Sequence, residues 1–330
     1  MVAAFLVGLL VTLAVTGPLI AVLRRGRVLD VPNARSSHDV VVPRGGGLAV
    51  LAGMYAGAGA GRLVSNAEWR DAGTLVTTVA LAVALLAALG LADDVRGLRA
   101  RFRLTAQVVI AVAASAALVV VDDPSWPAVA LVACMVWVVG YVNAFNFMDG
   151  INGISAVAAI LSAGWYAVLA AQAHDLLVAA VAAAVVGASL GFLPWNAPRA
   201  KVFLGDVGSY GVGATIALLG VLTVLRDHNV WWGAAPALIY VADTLYTLLR
   251  RALRHEPVAE AHRGHVYQRL VDGGLSHLAS ACVVGMCMLA VLVLARLLPT
   301  AAALPTGLLV CAAYLALPNF LSPRPHEAAR

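Results

Sequence analysis

Carboxylate, amide and imidazole side chains collect at a few points in an otherwise apolar chain, and most of these points close or open an apolar run. The most concentrated is Asn143-Ala-Phe-Asn146-Phe-Met-Asp149-Gly150-Ile-Asn152-Gly153. Asn143, Asn146 and Asp149 are three apart, so on a helix each steps back by about 60° and the three share a face. Gly150 and Gly153 then interrupt the helix, and a second apolar run begins at once. In hydrocarbon the aspartate alone would cost on the order of 3 kcal/mol. A carboxylate and two amides held where a buried helix meets water suit chemistry on an anion, with a cation to neutralise it.

The other polar points have the same character. Asp93-Asp94 ends one run, and adjacent carboxylates push each other's proton affinities apart. One can then bind a cation while its neighbour stays a base. Asp206 lies between glycines at the start of a run, following Asn196 and Lys201, the single lysine in the chain. Hard oxygen ligands of this kind suit Mg²⁺, with Mn²⁺ as the alternative; Mg²⁺ commonly binds through one or two carboxylates plus substrate phosphates. Arg35, His38 and Arg44 could grip phosphates, and Gly45-Gly46-Gly47 would let backbone N–H groups approach an anion. His262, Arg263 and His265 offer donors for a diphosphate. Asp243 stands inside an apolar run, as a functional carboxylate or as a partner of Arg250 or Arg251.

These groups need elements to hold them. The chain has 330 residues, 62% hydrophobic and 12% charged, and a mean hydropathy of +0.90. Eleven stretches are long enough to cross a bilayer: 3–23, 46–64, 73–92, 105–121, 127–147, 154–172, 176–193, 207–225, 231–249, 277–297 and 304–320. They are too uniformly apolar for barrel strands, which would alternate, so the expected fold is an all-α polytopic membrane protein forming one domain over 1–330. Of the 22 basic residues all but Arg62, Arg70, Arg226 and Arg296 fall in alternate connections and the C-terminal tail. The positive-inside rule then places the N-terminus outside and the C-terminus in the cytoplasm. Every polar group but Asp243 lands at the cytoplasmic ends. The net charge of +5 follows this bias and is no sign of nucleic-acid binding. The four cysteines lie within apolar runs without zinc spacing and read as core residues.

Taken together, Asp93-Asp94, the Asn143…Asn146…Asp149-Gly-Ile-Asn-Gly stretch, Asn196…Phe-Leu-Gly-Asp206-Val-Gly-Ser and His262-Arg-Gly-His265 resemble the polyprenyl-phosphate N-acetylhexosamine-1-phosphate transferases, in order and from Asp30 to Gln268. The resemblance implies ten or eleven membrane helices with a cytoplasmic active site in the bacterial plasma membrane. It implies transfer of a sugar-1-phosphate from a UDP-N-acetylhexosamine to polyprenyl phosphate, with Mg²⁺ and release of UMP. It makes Asp206 the principal metal ligand, with Asp149 on the metal side. Asp93 would deprotonate or position the lipid phosphate, supported by Asp94. Asn143 and Asn146 would contact the nucleotide, with Asn196, Lys201, Arg35 and His38 as further substrate contacts, and His262 and His265 would hold the diphosphate and sugar.

Two departures bear on this. Relatives often carry Asp where this chain has Asn152. The His-Arg-Gly-His loop also differs from the three-histidine run of the muramoyl-pentapeptide transferases and resembles the branch that starts surface polysaccharides such as O-antigen. The lipid bilayer and a second copy of the chain are the expected macromolecular partners. A transporter or flippase of lipid-linked sugars is the rival class, and it requires polar residues at mid-membrane and on both faces.

Overall fold

The computed structural model describes residues 1–32, 40–64, 73–227, 229–257 and 263–321. In chain order the helices are α1 (Val2–Arg25), α2 (Gly47–Val64), α3 (Gly73–Arg96), α4 (Ala100–Asp122), α5 (Pro127–Phe147), α6 (Ile154–Gln172) and α7 (Leu176–Asn196). Then come α8 (Gly205–Asp227), α9 (Val230–Ala234), α10 (Leu238–Leu253), α11 (Val266–Asp272), α12 (His277–Leu297) and α13 (Thr300–Ala316). Among the described residues nine helices are long and apolar enough to cross a membrane. With no water in hydrocarbon, a helix satisfies its own backbone, which is why these runs fold this way.

The expected stretch 46–64 is the 18-residue helix α2. One of the eleven expected spans takes another form. The stretch 231–249 is broken: α9 ends at Ala234, a 3₁₀ turn follows at Ala235–Ala237, and α10 leads on from Leu238. Pro236 sits in that turn, where its missing N–H and fixed φ disfavour a continuous α-helix. The fold is all-α, with one short ribbon beside the helices. Strands β1 (Leu29–Asp30) and β2 (Val42–Pro43) pair antiparallel between α1 and α2. Phe203 extends this ribbon by donating its N–H to the Pro43 carbonyl at 2.8 Å.

The bundle is organised around α8. All of Val207–Thr223 is buried, against scattered positions on α1 and α13. Glycines let its N-terminus sit very close to its neighbours. A Cβ on Gly47 would overlap the Gly208 backbone, and one on Gly90 would overlap the Asp206 carbonyl. Small residues at helix crossings are how membrane helices gain van der Waals contact. Here they bring α2 and α3 against the turn that carries Asp206.

Candidate active site

The helices run further than hydropathy suggests, and this sets the site. α3 continues to Arg96 and so includes Asp93 and Asp94, both buried. α4 begins at Ala100, and α8 at Gly205. Asp93, Asp94, Asn146 and Asp206 therefore lie on helix ends, where their backbones are fixed, and Asp149 stands in the turn between α5 and α6.

Asp94 caps α8 from another helix. Its Oδ1 accepts the Asp206 N–H and its Oδ2 the Val207 N–H, both at 3.0 Å. These are orphan donors of a first turn, and an anion there also faces the positive end of the helix. Arg44 donates to the Asp94 carbonyl and lies 3.7 Å from its carboxylate. Gly205 makes the approach with φ +74°, a left-handed conformation that suits glycine.

Asp93 is also committed. Its Oδ1 accepts the Leu98 N–H at 2.7 Å and its Oδ2 pairs with Arg103 at 2.5 Å. The proposed division of Asp93 and Asp94 into a free base and a cation ligand is not the arrangement seen. Both are bonded to protein: Asp94 orients the start of α8, and Asp93 holds Arg103 and the Leu98 backbone.

Asp206 and Asp149 are the less committed carboxylates. Asp206 Oδ1 accepts from Asn146 Nδ2 at 2.8 Å, and Asn146 also donates to Ser209 Oγ at 2.8 Å. Asp149 Oδ1 accepts the Ser155 hydroxyl at 2.6 Å. Burial pushes the Asp149 carboxyl up to about 7; the Ser155 hydroxyl opposes the rise and the charge of Asp94 adds to it. Among the described residues the second carboxylate oxygen of Asp149 has no hydrogen-bond partner.

Asn143 points elsewhere, donating to Gln107 Oε1 at 2.6 Å and to the Val139 carbonyl. Asn196 spends both ends of its amide on backbone. It accepts from Gly153 at 2.6 Å and donates to Val202 at 3.1 Å, joining the 148–153 turn to the segment before α8. Asn152 donates to the Pro198 carbonyl at 3.1 Å, a bond that a carboxylate could not make. Lys201 lies over the Trp195 ring at 5.2 Å. Arg263 pairs with Asp272 at 2.8 Å. Asp243 bonds His265 at 3.0 Å instead of Arg250 or Arg251. Gly46 and Gly47 donate their N–H groups to the Phe203 and Leu204 carbonyls at 2.8 Å, so they serve strand-like pairing rather than an anion. Arg35, His38 and His262 lie outside the described residues.

Sequence reasoning passed over Arg103, Gln107, Ser155 and Ser209. Arg103 was absorbed into the positive-inside count, although it lies one helical turn before Gln107. Ser209 follows Asp206 by three residues and shares its helix face, a spacing that could have flagged it.

Asp93, Asp94 and Asp206 thus meet Arg44, Arg103 and Asn146 where the ends of α3, α5 and α8 come together. Among the described residues no three histidine, cysteine or carboxylate side chains form a ready-made metal cage. Asp206 and Asp149 remain as a sparse oxygen donor set, which fits Mg²⁺ completed by water and substrate phosphates better than a closed protein site.

Residues 76–224 match the description of glycosyl transferase family 4. Over 297 residues, 86% of this chain and 80% of the relative, the sequence is 28% identical to the "Probable undecaprenyl-phosphate N-acetylglucosaminyl 1-phosphate transferase" of Bacillus subtilis (strain 168). The segment 76–224, a little under half of the chain, is thus similar to glycosyl transferase family 4, and the likeness to the Bacillus subtilis protein runs over most of the chain. Phospho-N-acetylmuramoyl-pentapeptide-transferases are also similar, but over a shorter stretch. That of Enterococcus faecalis (strain ATCC 700802 / V583) is 35% identical over 116 residues, 35% of each chain. That of Geobacillus kaustophilus (strain HTA426) is 40% identical over 114 residues, 34% of each. The family 4 segment contains Asp93, Asp94, Asn146, Asp149 and Asp206; Asp243 and His265 lie beyond it.

Proposed function

We propose that this protein transfers N-acetylhexosamine-1-phosphate from a UDP-sugar to a polyprenyl phosphate and releases UMP, on the cytoplasmic face of a bacterial plasma membrane. The observation that carries this reading is the meeting of a polar and an apolar site on α5. The inner end of α5 presents Asn146, leading into the turn that holds Asp149. The same helix, from Ala128 to Ala144, forms one wall of a lateral groove of about 820 Å³, with Val241, Thr244 and Leu245 of α10 on the other side. An isoprenoid chain suits the groove, whose lining on α5 reaches Ala144, two residues before Asn146. The likeness to the Bacillus subtilis protein over most of both chains supports the same chemistry.

A lipid phosphate oxygen attacks the β-phosphorus, the bond between that phosphorus and the bridging oxygen breaks, and the electron pair leaves on UMP. A phosphate monoester is already largely dianionic at neutral pH, so a strong base is needed less than charge neutralisation and alignment. Mg²⁺, held by Asp206 and Asp149, would supply part of that neutralisation. Arg103, itself oriented by Asp93, supplies further positive charge beside Asp206. Asn146 fixes the Asp206 rotamer, and Asp94 fixes the backbone that carries it. The first membrane step of a surface polysaccharide is the place such a reaction would occupy.

Labelled UDP-GlcNAc, undecaprenyl phosphate and Mg²⁺ with purified protein test the reading. Label should pass into the lipid fraction only when all three are present. Failure with every N-acetylhexosamine donor would exclude it.

The Asp149 carboxyl adds a pH signature. Its proton affinity is raised to about 7, so at pH 6 a cation must displace a proton, whereas at pH 8 it need not. The Mg²⁺ concentration for half-maximal rate should fall about tenfold from pH 6 to pH 8. A pH-independent Mg²⁺ requirement would remove Asp149 from the cation's ligands.

A further inference from the structure

At the Asp206 end of the bundle, Gly47 and Gly90 bring α2 and α3 onto the start of α8. Toward the opposite end a slot of about 190 Å³ lies between the two helices. Its walls run from Met54 to Arg62 on α2 and from Leu75 to Val83 on α3, with Val178 of α7 and Leu222 of α8 behind them. The α3 wall alone covers about 12 Å of helix, so the slot runs along the helices.

The lining asks for hydrocarbon along this length and for an anion at one end. Its two hydroxyls are spent on backbone. Tyr55 donates to the Ala80 carbonyl at 2.7 Å, tying α2 to α3, and Thr215 donates to the Gly211 carbonyl at 2.8 Å. Apart from Arg62, the other lining residues are Ala, Gly, Val, Leu and Met. Such a surface gains dispersion contacts from an alkyl chain and no hydrogen bond from water. A Cβ on Gly59 would meet nothing within 4 Å, so there is open space where α2 passes. Tyr55, Gly59 and Arg62 are exposed and share one face of α2, so the slot is reached from the side.

Arg62 stands in the last turn of α2 and is exposed. Among the described residues it has no hydrogen-bond or ion-pair partner. Arg226, at the same end of the bundle, pairs with both Asp122 and Asp175. An arginine at the end of a membrane helix reaches headgroup depth along its apolar stem, and its planar fork suits a phosphate.

We propose that this slot binds an anionic phospholipid of the leaflet farther from Asp206. One acyl chain lies between α2 and α3, and the headgroup phosphate sits on Arg62. The lipid braces these helices against α8 at the end remote from the candidate active site. This inference does not depend on the phosphotransferase reading.

Native mass spectrometry of the purified full chain in detergent tests it, with phosphatidylglycerol or phosphatidylcholine of the same acyl chains as the probe. Phosphatidylglycerol should be retained in preference to phosphatidylcholine by about fivefold, the scale of one arginine at a membrane surface. R62Q should lose that preference and keep the wild-type thermal midpoint measured without added lipid. G59L places a side chain in the slot and should retain less of both lipids. Added phosphatidylglycerol should raise the thermal midpoint of wild type by a few degrees and leave that of G59L unchanged.

R62Q with the wild-type preference, or G59L with wild-type retention, would overturn the proposal. Displacement of phosphatidylglycerol by undecaprenyl phosphate in equal numbers would assign the slot to an isoprenoid lipid and overturn it as well. If G59L does not accumulate, A80L fills the slot from α3 and takes its place; if neither does, R62Q decides alone.

Discussion

Asp206→Asn should lower UMP release by at least about a thousandfold while leaving the thermal midpoint within a few degrees of wild type. The separation follows from which atoms do what. The start of α8 is capped by Asp94, not by the Asp206 side chain. Asparagine has nearly the same volume and can still accept from Asn146 through its oxygen. The fold loses little, but the site loses a charge where two anions must be brought together. Electrostatic stabilisation at such sites is commonly worth several kcal/mol, which sets the expected scale. Initial rates at saturating Mg²⁺ and a thermal unfolding scan in detergent check both halves. Wild-type turnover in D206N would discard the assignment.

Asp94→Ala should fail in the opposite way, through the fold first. It removes the acceptor of two first-turn N–H groups and leaves Arg44 without its carboxylate. Charge-assisted bonds of this kind are worth about 1.5–3 kcal/mol each, and their buried donors would have no replacement. The expected result is a drop of several degrees or more in the thermal midpoint, with activity lost because the Asp206 backbone is no longer held. D94N, with one oxygen to offer, should fall between D94A and wild type in stability. The same unfolding scan reads this. D94A with a wild-type midpoint would show that the cap contributes nothing to holding α8.

The contrast between these two aspartates shows what the sequence could reveal. The polar residues stand out because charge is costly in hydrocarbon, so Asp93, Asp149, Asp206 and Asp243 announce themselves against apolar runs. Their roles do not. Asp94 acts on backbone 112 residues away, and no local pattern records that pairing. Asn196 looks like a ligand-binding amide, yet it joins two backbone segments. Asp243 has neighbouring arginines in sequence, but its partners are Thr247 on its own helix and groups of α11 and α13. The three glycines at 45–47 suggest an anion loop; Gly46 and Gly47 instead bond the Phe203–Leu204 backbone, and Gly47 lets α2 approach α8. Pro236 did carry a local signal for the broken ninth stretch. The two-residue strands β1 and β2 are too short to show an alternating pattern.

Helix limits account for most of the remaining gap. Hydropathy falls where Asp93, Asp94 and Arg103 begin, so a window ends the helices there, whereas backbone bonding carries α3 through Arg96 and starts α4 at Ala100. Those extra turns turn a reading of polar loops into a rigid rim of helix ends.

The central claim is that the β-phosphate travels with the sugar, and one measurement follows it directly. Purified protein would be given UDP-GlcNAc labelled with ³²P in the β-phosphate, together with undecaprenyl phosphate and Mg²⁺. The account predicts that the label moves to the lipid fraction in amounts equal to the unlabelled UMP released. Label that stays with the nucleotide as UDP while the sugar reaches the lipid would mean cleavage at the sugar carbon, and would contradict it.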